Sequence, residues 1–126
     1  MKPALTLLAG EFSVCRLAPG TPMPGEPDRA SFWSAARTAD ELSVVTPAGT
    51  EPGGARVEMG WRVFKAEGPM AFSELGVLAG ITGALSSAGV SIFAISTFDT
   101  DYILFKGEQL TAALEGLLAA GYVVKG

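Results

Sequence analysis

The sequence predicts an α+β protein whose second half is a ferredoxin-like β-α-β-β-α-β unit. Three observations predict it. Hydrophobic residues make up 48% of the 126, enough for a sizeable core and too many for a disordered chain. Residues 61–125 carry strand-type and helix-type runs in that order. The first half instead carries strand-type runs separated by loops dense in proline and glycine, as a degenerate copy of the second half would if its helices had become loops. The predicted division is a strand-rich unit over 1–56 and a complete unit over 57–126.

Residues 5–9 (L-T-L-L-A) form one apolar run, and 11–17 (E-F-S-V-C-R-L) alternate as a half-buried strand does. From 19 to 27 (P-G-T-P-M-P-G-E-P), four prolines in nine residues forbid a regular helix or a central strand, and a loop of polyproline character is expected. Residues 31–37 and 42–46 read as two strands, with 38–41 (T-A-D-E) as their hairpin connection. Residues 47–54 (P-A-G-T-E-P-G-G) form a second loop and the unit boundary.

A strand lies within 57–66, centred on 61–66 (W-R-V-F-K-A), and Glu67-Gly68-Pro69 breaks it. Ser73 is the predicted cap of a helix reaching Ala88, since Leu78, Ile81, Leu85 and Ala88 recur on one helical face and Gly89 is a natural stop. Residues 90–97 form a mostly apolar strand, 98–101 (F-D-T-D) a polar turn and 102–105 (Y-I-L-F) the next strand. A second helix over 108–120 turns Leu110, Ala113, Leu114, Leu117 and Leu118 inward and stops at Gly121. Residues 122–124 close a four-stranded antiparallel sheet with both helices on one face.

The formal net charge is -4 and the pI about 4.7. No stretch is basic enough to displace counterions from a nucleic acid or to seek an anionic membrane. Zero histidines remove Ser-His-Asp and Cys-His catalysis and most transition-metal sites, and no Gly-rich phosphate loop is present. No enzyme activity, cofactor or metal is therefore expected. The single cysteine, Cys15, lies in an apolar run and reads as a buried core thiol. The apolar run before Gly10 is too short for a signal peptide, and the apolar stretch over 75–95 is interrupted by Gly and Ser and flanked by Glu74 and Asp99. No membrane segment is expected, and cytoplasmic localisation follows.

Three short motifs stand in order on the predicted elements: G-V-L-A at 76–79, A-G-V-S-I at 88–92 and I-S-T-F-D-T-D at 95–101. With them the second half resembles an ACT domain, the regulatory amino-acid-binding module. It is most similar to tandem ACT proteins related to arginine-sensing regulators of cell growth and to aspartate kinase regulatory regions. The resemblance implies two ACT-like units in tandem, with a free amino acid bound at an interface between ACT units. The implied contact positions are Ser73, Glu74, Gly76, Val77 and Leu78 before and in the first helical turn. The others are Ile92 and Phe93 in the following strand and Thr97, Phe98, Asp99 and Asp101 after it. Arg37, Thr38 and Leu42 are the candidates for an opposing wall.

The chemistry suits a zwitterion. Free amides at the start of the helix can hold its carboxylate, and Gly76 permits close approach of the backbone. Asp101, then Asp99, can accept from its ammonium, although aspartates also favour such turns for their own backbone bonds. Glu74 either faces the ligand or complements the helix dipole. Phe93 and Phe98 are either core residues or, for Phe98, a lid. If the three acids all face the ligand, arginine or lysine is the electrostatic match. Two functions follow: an amino-acid sensor signalling to a regulated partner by conformational change, or an assembly domain that dimerises without a ligand.

Overall fold

The computed structural model describes residues 2–67 and 76–126. The chain divides into two compact units, one of Met1–Leu8 with Arg62–Gly126 and one of Ala9–Trp61. This differs from the sequence boundary at residue 56: the division falls inside a long strand, and the first eight residues belong with the second half.

The unit Ala9–Trp61 holds β2 (Phe12–Leu17), β3 (Ser34–Arg37), β4 (Leu42–Pro47) and the first part of β5 (Arg56–Ala66). The strands are ordered β3-β4-β2-β5 and every neighbouring pair is antiparallel. Counted within the unit, that is 2-3-1-4, the order of a ferredoxin-like sheet. The two crossovers that would be helices are the loops 18–33 and 48–55, with no helix in either. Proline supplies the reason in the first, since it lacks the amide a helix needs. Side chains hold the loops instead. Arg37 donates to the carbonyls of Pro19 (2.5 Å) and Thr21 (2.7 Å). Glu51 accepts from the Ser13 hydroxyl at 2.6 Å and from the Gly49 amide. The core of this unit gathers Cys15, Leu17, Leu42 and Val44, with Trp33 and Ala35 packed against them.

The other unit holds β1 (Leu5–Leu7), the end of β5, α1 (Val77–Ser87), β6 (Ile92–Ser96), β7 (Asp101–Lys106), α2 (Leu110–Ala119) and β8 (Val124–Lys125). A short 3-10 turn, Gly107–Gln109, leads into α2. The strand order is β6-β7-β5-β1-β8. A plain βαββαβ unit would put its last strand beside its first. Here β1 intervenes, antiparallel to β5 and parallel to β8, with Leu5 opposite both Ala66 and Val124. Both backbone edges of β1 are thereby satisfied, and Leu5 is fully buried in the core.

Both helices cover one face. Val77, Ile81 and Leu85 of α1 and Ala113 and Leu117 of α2 pack onto Leu5, Phe64, Ile103 and Phe105. The Phe64 and Phe105 rings stack with centroids 4.7 Å apart. Gly116 lets the helices close on each other, since a Cβ there would stand 2.6 Å from that of Ala88. Leu118, expected inward, is instead 60% exposed: Ala113 and Leu117, one turn apart, define the buried stripe, and Leu118 sits about 100° further round. Tyr122, expected in the closing strand, is a buried core residue, and β8 starts two residues later. Among the described residues no helix is long and apolar enough to cross a membrane, and no three His, Cys, Asp or Glu gather as a metal site would need.

Candidate functional site

The turn between β6 and β7 is built from its own hydroxyls. Ser96 and Asp101 face each other as a strand pair, and the Ser96 hydroxyl donates to Asp101 Oδ1 at 2.5 Å. The Thr97 amide donates to the Thr100 carbonyl at 2.8 Å, and the Thr100 amide donates back to the Thr97 hydroxyl at 3.3 Å. Phe98 and Asp99 sit at the tip, both exposed, Phe98 by 80%. Thr100 is buried, and its hydroxyl donates to the carbonyl of Ala66, the last residue of β5, at 2.5 Å. This bond ties the acidic turn to the end of the strand from which the chain leaves for α1.

The start of α1 lies at the same end. Gln109, just past the far end of β7, donates from its side-chain amide to the carbonyl of Gly89, just past the end of α1. The C-terminus of α1 is thus at the end where β7 finishes. Eleven residues of helix, about 16 Å, carry its N-terminus back to the end where β7 begins with Asp101. Gly76 occupies the cap position in the left-handed region (φ 77°), which glycine adopts at no steric cost, and its carbonyl accepts the first helical bond from the Gly80 amide at 2.8 Å. Among the described residues no side chain caps the helix and no acid sits in its first turn, and the leading amides of Val77, Leu78 and Ala79 have no intrahelical partner.

The helix expected from residue 74 therefore begins at Val77. Ser73 and Glu74 lie outside the described residues. The side chains of Val77 and Leu78 pack in the core, which leaves only their amides to meet a ligand. Ile92 and Phe93 are not brought to this end. Ile92 pairs with Phe105, four residues along β6 from the Ser96–Asp101 pair, about 13 Å away. Successive strand residues also point to opposite faces; Ile92 packs against the helix-side core, so Phe93 points away from it. The proposed opposing wall has other duties. Arg37 clasps the proline-rich loop, the Thr38 hydroxyl accepts the amides of Asp40 and Glu41 in the hairpin, and Leu42 is fully buried. Thr100 was missed by sequence reasoning; a threonine between two turn aspartates was its signal. Two clefts of the unit, about 540 and 630 Å³, lie on its helices, and of the expected contact residues that the structure describes only Ile92 borders one.

A family model described as an ACT domain matches residues 56–118, and a second, described as an N-terminal domain, matches 10–52. The cytosolic arginine sensor for mTORC1 subunit 1 of Homo sapiens is 36% identical over 58 residues, 45% of this chain but only 18% of that protein. A crystal structure of a protein from Agrobacterium tumefaciens superposes with a TM-score of 0.89 at 35% identity, covering 98% of this chain and 92% of that one. The ligand-free regulatory subunit of aspartate kinase from Thermus thermophilus shares the fold, with a TM-score of 0.64 at 13% identity over 96% of this chain and 99% of that one.

Proposed function

The chain belongs to the ACT-domain family of regulatory modules, and from that premise we propose that it is a non-enzymatic sensor of a free amino acid. The amino acid binds at an interface between ACT units, and occupancy reports to a partner protein, or across a homodimer, by a shift in packing. The observation that carries the reading is the shared end of α1 and the acidic turn. The leading amides of Val77 and Leu78, which have no intrahelical partner, suit the α-carboxylate together with the helix dipole, and Gly76 leaves room for it. Asp101 suits the α-ammonium, held in place by Ser96 and by the Thr100 bond to β5. Asp99 extends the negative field toward a cationic side chain, which favours arginine or lysine. The human relative, a cytosolic arginine sensor, points the same way. The site is cytoplasmic in this reading.

The second reading is a ligand-free assembly domain. Among the described residues β6 pairs with β7 alone, and the open strand edge favours pairing with another copy. A thermal-shift panel of the common amino acids separates the two. At a ligand concentration near 100 times its Kd the stabilisation is about 2.7 kcal/mol, or about 10 °C for 126 residues unfolding together. One or two responders among twenty support the sensor; a flat panel supports assembly.

A further inference from the structure

The outer side of the helix pair carries a groove of about 540 Å³, within the range of small-molecule sites. Gly80 and Gly83 of α1 and Gly116 and Ala119 of α2 line it, together with Lys2 and Tyr122. Tyr122 is only 5% exposed, yet its hydroxyl makes no hydrogen bond among the described residues and stands 2.7 Å from where a Gly80 Cβ would be. Any side chain at Gly80 would press on that hydroxyl. The ring is buried while the hydroxyl opens on the groove, where it can donate to an occupant. Burial raises the phenol above its ordinary value, so it stays protonated and donates. The Lys2 ammonium lies 5.4 Å from the centroid of the same ring and donates to the carbonyl of Ala120, the residue that caps the end of α2. An ammonium has three donors, and this bond uses one.

We propose that this groove is a second ligand site, for a small apolar monocarboxylate. Its carboxylate accepts from the Tyr122 hydroxyl and the Lys2 ammonium, and its hydrocarbon lies along the glycine and alanine walls. Two convergent donors, one of them cationic, select an acceptor-only anionic head. Walls without branched side chains leave an apolar channel for the tail. No described residue of the amino-acid site lines the groove, so the two sites stand or fall separately.

The test is a titration of the isotope-labelled full chain with sodium octanoate, followed through the backbone amides. Saturable shifts are expected at Gly80, Gly83, Gly116 and Tyr122, with Gly76 and Val77 unmoved. Octanol, with the same tail and no charge, binds more weakly. Tyr122→Phe keeps the buried ring and weakens octanoate by about tenfold, as expected for a bond to a charged group. Gly83→Leu, at a position where an added Cβ meets no atom within 4 Å, fills the groove and abolishes binding without disturbing the fold. Absent or non-saturable shifts, or equal affinity in both variants with otherwise superimposable spectra, overturn the proposal. So does a pattern at these amides that follows protein concentration instead of octanoate, which marks a contact between copies.

Discussion

Thr100→Val isolates the bond that joins the acidic turn to the body of the sheet. Valine keeps the β-branched shape and the packing and removes only the hydroxyl. Thr100 is 6% exposed, so water cannot readily replace it at the Ala66 carbonyl, 2.5 Å away. A buried hydrogen bond broken from one side costs about 1–3 kcal/mol. We expect about 2 kcal/mol, or about 7 °C in Tm for 126 residues unfolding together. Urea denaturation should show a lower midpoint with an unchanged slope, since little surface is newly exposed in the native state. Thr97→Val is the control: Thr97 is exposed, its hydroxyl bonds only within the turn, and about 0.5 kcal/mol is the expected cost. If Thr100→Val costs no more than Thr97→Val, the turn is not anchored through this hydroxyl and the argument for a rigid acidic corner fails.

Further outcomes follow from other residues. Gly76→Ala forces a Cβ into the left-handed region at φ 77° and should cost about 1–2 kcal/mol in urea denaturation; a neutral substitution would mean that the helix start relaxes freely. The Ser13 hydroxyl, then the backbone amides of Glu51 and Gly49, hold the Glu51 carboxyl below its usual value. A depressed folded-state pKa adds stability that is present above the unfolded value, 4.5, and is lost as pH falls through the folded one. Glu51→Gln should therefore lose stability at neutral pH and show a shallower acid decline, and superimposable acid profiles would contradict this. Burial, with Glu51 nearby, raises the Cys15 thiol above its ordinary value, so it should resist an aromatic disulfide reagent at pH 8 until the chain is unfolded; rapid native labelling would contradict the packing.

The parts of the fold legible in the sequence were those with a strong local period. The α1 stripe Ile81–Leu85, the stop at Gly89 and the strands 92–96 and 101–106 follow from apolar spacing and glycine placement. The position of β1 was not legible, because a three-residue apolar strand carries no mark of its partner, and its insertion beside β8 is a tertiary choice. The loops of the first unit were legible from proline, while their 2-3-1-4 strand order needed coordinates. Within the candidate site, the Ser96–Asp101 turn was readable as a polar interruption between two apolar strands. The separation of Ile92 and Phe93 onto opposite faces was also readable, from the strand period of two. The loop and hairpin bonds of Arg37 and Thr38 were not legible, because they are made to backbone carbonyls and amides, which no side-chain pattern announces.

The most direct test is calorimetric titration of the best amino acid from the thermal panel into the native chain and into Asp101→Ala. Loss of a charge-assisted bond to the ligand ammonium should weaken binding by tenfold or more, on the order of 1.5–3 kcal/mol, while the urea midpoint stays within about 0.5 kcal/mol of the parent. Equal affinity in the two proteins would contradict the convergence of the α1 amides and the acidic turn on one zwitterion.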